Sequence, residues 1–279
     1  MAADPFRSLA CAAAAILLAG CQTAPPPPTT PEAVGEVRKG SGFLNGYLEH
    51  KQLPDSLGLL PPPPAAGSAQ QAADLDTTQR TRALRDTPRW ALAAQDAQLK
   101  FPAAARTFEC ALQLPISQQD TPHLNMLLRR TMLDAALATY AAKDHYQRQR
   151  PFAATGGPTC TPGEEVALAK DGSYPSGHTA IGWAWALVLT QAAPRNTDAL
   201  LQRGYAFGWS RVVCGVHWQS DVEAGRTIGA ATVARLQSDA TFQAQLALAR
   251  QEIAQAQASG AKPNADCAAE AAALAVRQP

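Results

Sequence analysis

The chain has 279 residues, 46% hydrophobic and 17% charged, with 24 Lys and Arg against 23 Asp and Glu and a formal net charge of +1. That is enough chain and enough apolar content to bury a substantial core in one domain, or at most two. Near-neutrality without a basic patch or arm excludes nucleic acid as a partner and strong attraction to an anionic membrane surface. An anion site would have to be built locally, from a few converging cations.

Residues 1–20 read as an export signal. Leu9 to Gly20 is an apolar stretch of 12 residues, too short to span a bilayer as a helix. It ends in Leu18-Ala19-Gly20-Cys21, which resembles the bacterial lipoprotein signal, where the cysteine is lipidated and becomes the mature N-terminus. The expected location is the periplasm, with a lipid tether from Cys21 to the outer membrane. The alternative is an ordinary secretory signal cleaved nearby, with Cys21 incidental. Residues 21–39 include four consecutive prolines, Pro25 to Pro28, and are expected to form an extended, stiff tether that buries nothing.

Residues 40–68, with the run Leu59-Leu60-Pro61-Pro62-Pro63-Pro64, predict an irregular lead-in wrapped over the domain. Helix signals then dominate. Thr87-Pro88 is a cap followed by proline at the first helical position, and Trp90, Leu92, Ala93 and Leu99 follow at helical spacing. Residues 122–148 place Leu124, Leu127, Leu128, Met132, Leu133, Ala136, Leu137 and Tyr140 every three or four positions, which predicts a long helix. Residues 178–192 are apolar almost all round and predict a buried helix, short for a membrane span at 15 residues. Residues 197–210, 218–237 and 239–257 complete a helical set, and no run of Val, Ile and Thr alternates with a period of two. The expected fold is all-α: a single compact helical domain over residues 40–257, packed around the buried central helix. From residue 258 the chain turns Ala-rich, with Gly260 and Pro263 as breakers, and a frayed or loosely docked tail is expected to residue 279.

Of six cysteines, Cys11 leaves with the signal and Cys21 would carry lipid. Cys110, Cys160, Cys214 and Cys267 remain, an even count that predicts two disulfides in an exported protein, with three pairings open. None stands in CxxC spacing, and no metal site is expected.

Three segments concentrate cations and histidines. In Lys143-Asp144-His145-Tyr146-Gln147-Arg148-Gln149-Arg150-Pro151, Lys143 and Arg150 are seven apart, two helical turns, and would point from one face. Alone, this is also what a solvated helix end looks like, where cations suit the dipole. Tyr174-Pro175-Ser176-Gly177-His178-Thr179 precedes the buried helix, and the first-turn N–H groups there make a ready anion site. It also reads as a capping sequence with a surface histidine. In Ser210-Arg211-Val212-Val213-Cys214-Gly215-Val216-His217-Trp218-Gln219-Ser220-Asp221, His217 and Asp221 stand at i and i+4. A carboxylate on one imidazole nitrogen leaves the other with its lone pair, as a nucleophilic histidine needs, though a helix-stabilising pair looks the same.

Together the segments resemble the three-part signature of the type-2 phosphatidic acid phosphatase (PAP2) superfamily: Lys, six residues, Arg-Pro; Pro-Ser-Gly-His; Ser-Arg, five residues, His, three residues, Asp. The gaps of 23 residues from Pro151 to Pro175 and 31 from His178 to Ser210 are of the size the family uses. Asp171-Gly172-Ser173-Tyr174, Ala180-Ile181-Gly182-Trp183-Ala184, Cys214 to Val222, the Leu-Leu-Pro-Pro-Pro-Pro run and Arg85-Asp86-Thr87-Pro88 resemble the class A bacterial non-specific acid phosphatases. The likeness covers about residues 45–250.

The resemblance implies a fold of the PAP2 and vanadium haloperoxidase kind and hydrolysis of small-molecule phosphate monoesters at acid pH, with broad specificity and some transfer to alcohols. Lys143, Arg150 and Arg211 would bind the phosphoryl oxygens, helped by the backbone N–H groups of Ser176 and Gly177 and the Ser176 hydroxyl. His217 would attack phosphorus, Asp221 would orient it, and His178, its protonated form favoured by the nearby phosphate dianion, would give its proton to the leaving alkoxide and later activate water. No cofactor or metal is implied, and a homo-oligomer is. A Cys160–Cys214 disulfide would pin the loop that aims Arg211 and His217, leaving Cys110 with Cys267. Vanadate-dependent haloperoxidases share the constellation, and lipid or pyrophosphate phosphatases share the signature. The motifs of the lipid enzymes lie between membrane spans, which this chain lacks. His145 is expected at the surface, His123 near a helix start, Trp183, Trp185 and Trp209 in the core, Trp218 at the pocket wall and Tyr174 at its mouth.

Overall fold

A computed structural model describes residues 25–276; the expected signal over residues 1–20 and the expected lipidation at Cys21 lie outside the described residues. The main helices are α1 (Ala69–Thr81), α2 (Pro88–Asp96), α3 (Pro122–Leu137), α4 (Tyr140–Tyr146), α5 (Gly177–Ala192), α6 (Thr197–Val213), α7 (Gln219–Leu236), α8 (Ala240–Ala258) and α9 (Cys267–Ala275). Among the described residues the only β pairing is an isolated bridge between Glu36 and Leu44, so the fold is all-α. No described helix is long and apolar enough to cross a membrane.

Helix α5 is the hub because its sequence leaves it no wet face. Ala180, Ile181, Ala184, Trp185, Ala186, Val188 and Leu189 are all buried, and α3, α6, α7 and α8 pack around them. The Trp185 indole N–H donates to Leu128 O on α3 at 2.8 Å, which satisfies its one polar group in the core. Helix α7 approaches α5 closely because Gly225 and Gly229 lack side chains. A Cβ at either would sit 2.5 Å from Ser176 O or Ala180 O, respectively. That approach carries Asp221, at the start of α7, against Ser176, at the start of α5.

Several expectations need correction. The helix expected over 122–148 breaks in two. The Thr139 hydroxyl donates to Ala136 O at 2.7 Å, a side-chain bond that competes with the helical ladder. Helix α4 then stops at Tyr146, with Gln147 left-handed at φ 42°. The expected tether does not stand clear of the domain from residue 25 on. Pro27 is buried, the Gln118 amide donates to Thr29 O at 2.6 Å, and Pro31–Val34 form a short helix. Proline-rich backbone forms no internal hydrogen bonds, so its carbonyls are free for a neighbour. The tail is docked rather than frayed. Helix α9 is capped by Asp266, tied by the Cys110–Cys267 disulfide, and joined to α6 by an Arg203–Glu270 ion pair at 3.0 Å. Its anchors are covalent and ionic, which an apolar-periodicity reading cannot see. Helix α1 was not expected from periodicity, because its buried face is polar: Asp74, Thr77, Thr78 and Thr81.

Candidate active site

Lys143 leaves the inner face of α4, and Arg150 caps the short helix Pro151–Thr155. They do not share a helix face, because the helix ends between them, yet they converge on one atom. Lys143 Nζ lies 3.2 Å and Arg150 Nη2 3.0 Å from Asp171 Oδ2. Lys143 also donates to Gly172 O, and Arg150 Nε to Leu168 O at 2.8 Å. Burial, then the Arg150 charge, pushes Lys143 down to about 8, with Asp171 opposing. Burial likewise lowers Arg150, again against Asp171.

Arg211, on α6, is fully buried, and among the described residues none of its three guanidinium nitrogens has an acceptor. An unpaired buried donor costs about 1–3 kcal/mol, more when charged. A guanidinium held this way is arranged for an anion, whose oxygens match its paired donors. Burial pushes it down to about 10, with Glu164 opposing. The preceding Ser210 donates to Asp96 and accepts from Arg89 at 2.9 Å, which fixes this turn of α6.

His217 lies just before α7, not on it, since Trp218 is the cap. Its Nδ1 is still 3.4 Å from Asp221 Oδ2, and its Nε2 is 3.0 Å from Arg150 Nη1. A guanidinium only donates, so Nε2 accepts and the imidazole hydrogen belongs on Nδ1. Burial, then Arg150, Lys143 and Arg211, holds His217 well below the usual histidine range, so it is neutral. Asp221 is fully buried and accepts from Arg148 Nη1 at 2.6 Å and Trp218 N at 2.8 Å. Burial raises its carboxyl and Arg148 opposes this, while N–H donors on both oxygens select the anion.

Ser176 caps α5, its Oγ accepting from Thr179 N at 3.3 Å and Thr179 Oγ1 at 3.0 Å. Its backbone N–H, expected to face phosphate, instead donates to Asp221 O at 2.9 Å. The Ser176 hydroxyl hydrogen and the N–H groups of Gly177 and His178, at the first helical positions, remain for an anion. His178 Nε2 lies 3.1 Å from Ala97 O, which leaves Nδ1 as its titrating nitrogen. Burial, then Arg211, pushes His178 well below the usual range. Both effects disfavour its protonated form, so the protonated start that the resemblance implies needs the field of a bound phosphate dianion to oppose Arg211.

The Cys160–Cys214 disulfide joins the loop before residue 172 to the end of α6. Cys214 and His217 also stand in CxxH spacing, but the Cys214 sulfur is committed to Cys160. Among the described residues no group of three or more His, Cys, Asp or Glu is placed to hold a metal. His145 is exposed, and the His123 ring meets the Gln245 amide at 2.6 Å. Trp185 and Trp209 are buried while Trp183 is partly exposed. Trp218 is buried with Arg148 over its ring, and Tyr174 is buried with its hydroxyl on Pro61 O at 2.8 Å. Asp171, Arg148 and Asp74 were not singled out from sequence. Asp171 had one signal, its place among the residues that flank the central motif.

A family model described as the PAP2 superfamily matches residues 124–242. A non-specific acid phosphatase of Providencia stuartii is 48% identical over 209 residues, 75% of this chain and 84% of that protein. An acid phosphatase of Zymomonas mobilis is 42% identical over 75% of this chain and 80% of its own. A non-specific acid phosphatase of Salmonella typhi is 45% identical over 70% of this chain and 78% of its own. With such identity across most of both chains, this protein belongs to the PAP2 superfamily.

Proposed function

We propose that this protein is an acid phosphatase that hydrolyses phosphate monoesters through a phosphohistidine on His217. The observation that carries this is Arg211, a fully buried guanidinium without an acceptor among the described residues, in the field that also disfavours a proton on His217. A phosphoryl group bound by Arg211, Lys143 and Arg150 meets the lone pair of His217 Nε2. The P–N bond forms as the P–O bond to the leaving group breaks. His178 Nδ1 gives its proton to the departing alkoxide, which would otherwise be a poor leaving group. Water then attacks phosphorus, gives a proton back to His178, and the P–N bond breaks. Because burial and Arg211 disfavour a proton on His178 before substrate binds, the proton arrives most readily with the substrate, as a monoanionic phosphate ester. Acid pH favours that species, and this supports an acid optimum.

Substrates are small phosphomonoesters of broad leaving group, with alcohols competing with water as acceptors. The test is hydrolysis of a chromogenic phosphomonoester across pH 4–9 by the wild type and by His217→Ala. Activity at acid pH that His217→Ala abolishes supports the proposal. Equal activity of the two proteins would refute it. The apolar run to Gly20 and the Leu18-Ala19-Gly20-Cys21 sequence support a periplasmic protein lipidated at Cys21. Two disulfides suit that oxidising compartment. Labelled fatty acid incorporated by the wild type and not by Cys21→Ala is the expected result.

A further inference from the structure

Between Lys143 and Arg150 the chain carries another cation, and it points away from the phosphoryl site. Arg148 Nη1 donates to Asp221 Oδ1 at 2.6 Å and to Ser220 Oγ at 2.7 Å. Its Nη2 donates to Asp74 Oδ2 at 2.8 Å, and its guanidinium sits 5.3 Å over the Trp218 ring. Asp74 is 3% exposed, and its other contacts are the Ser220 N–H at 2.9 Å and the Ser220 hydroxyl. One guanidinium is thus shared between two buried carboxylates, one of which faces the imidazole.

We propose that Arg148 and Asp74 are positioning residues for the reaction, which hold Asp221 and ration the negative charge it presents to His217. Asp74 comes from α1, outside the matched segment 124–242, so the reacting centre draws on a helix the family signature does not include. The carboxylate of Asp221 favours the imidazolium form of His217, and Arg148 counters it from the other oxygen. Asp74 in turn takes part of the Arg148 charge. The four groups, His217, Asp221, Arg148 and Asp74, are linked through contacts of 3.4 Å or less; Arg148 is 11% exposed and the other three 3% or less, so their charges couple more strongly than at a surface. The other charged or titratable groups acting on His217 are Arg150 at Nε2, Lys143 from α4, Arg211 from α6 and His178 from α5. Asp171 reaches His217 only through Lys143 and Arg150, and Glu164 only through Arg211. None of these touches Asp221 by a bond that replaces Arg148.

The inference rests on His217 as the group that reacts, but its test does not need turnover. The protein has five histidines, so the His217 ring nitrogens can be followed by NMR through a pH titration in isotope-labelled full-length protein. Arg148→Gln should raise the His217 titration by on the order of 1 pH unit, because Asp221 is no longer countered. Asp74→Asn should move it the other way, because Arg148 then belongs to Asp221 alone. A purely structural role would move both variants in one direction or neither, and that result overturns the proposal. Arg148→Lys, which keeps the charge and loses the fork, should restore the titration more than the activity. If Arg148→Gln does not fold, Asp74→Asn decides alone: a fall supports the pair, and a rise or no change refutes it. If the opposed shifts appear while His217→Ala still hydrolyses phosphomonoesters, the assignment of the nucleophile is at fault and the charge-rationing pair stands.

Discussion

Arg150 Nη1 stands 3.0 Å from His217 Nε2, so the nitrogen that would attack phosphorus accepts a hydrogen bond from a cation that would bind the phosphoryl group. One contact fixes the tautomer, keeps the imidazole neutral and places the lone pair beside an anion-binding donor. Arg150→Lys keeps a charge and loses the fork that reaches His217, Asp171 and Val216 together. We expect kcat/KM for a phosphomonoester to fall about 10²–10³-fold, the usual loss for a preorganised donor in such a site. A change under about tenfold would show that this contact does not direct the reaction.

Both histidines are pushed well below the usual range, His178 by burial and Arg211, His217 by burial and Arg150. A bound dianion opposes the cations and raises His178, so phosphate binding above neutral pH, where the free ligand is mostly the dianion and brings no proton of its own, should be accompanied by proton uptake. Calorimetry in two buffers of different ionisation enthalpy reads this directly. Equal heats in both buffers would contradict the assigned proton. For hydrolysis the sign follows: rate falls as pH rises, because the monoanionic ester that delivers the proton disappears, and falls at low pH once His217 is protonated.

Asp171 Oδ2 already occupies the point on which Lys143 and Arg150 converge, so a phosphoryl oxygen must share or displace it. Asp171→Asn should tighten competitive inhibition by inorganic phosphate about tenfold at pH 5–6, a difference of about 1.4 kcal/mol. The gain should fade towards pH 8. Lys143 is already lowered to about 8, and without Asp171 to oppose burial it loses its proton sooner. Weaker phosphate inhibition at pH 5–6 would contradict competition by Asp171.

Asp96 accepts from both Arg203 and Ser210 in the core, and the following residue, Ala97, holds His178. Asp96→Ala leaves a buried guanidinium with only Glu270 and should cost about 3 kcal/mol or more in urea unfolding. A loss below about 1 kcal/mol would mean that Glu270 alone satisfies Arg203.

The central helix, the flanking helices α6, α7 and α8 and the eleven-residue signature were legible because each is a local pattern of apolar or chemical type. Spacing failed where local geometry broke. Lys143 and Arg150 do converge, but through a left-handed Gln147 and a new helix start, not two turns of one helix. Helix α1 escaped notice because it buries threonines and Asp74 instead of an apolar stripe. The partners of the site were the least legible part. Arg148 and Asp74 lie 74 positions apart, and nothing in either neighbourhood names the other.

A rapid-quench experiment with a phosphomonoester labelled in its phosphoryl group is the most direct test of His217 as the nucleophile. The wild type should trap a covalent phosphoryl group that is stable to base, labile to acid and located on the peptide carrying His217. His217→Ala should trap none. A wild-type enzyme that turns over with no phosphoenzyme at any quench time, or a His217→Ala protein that still forms one, would contradict the mechanism at its centre.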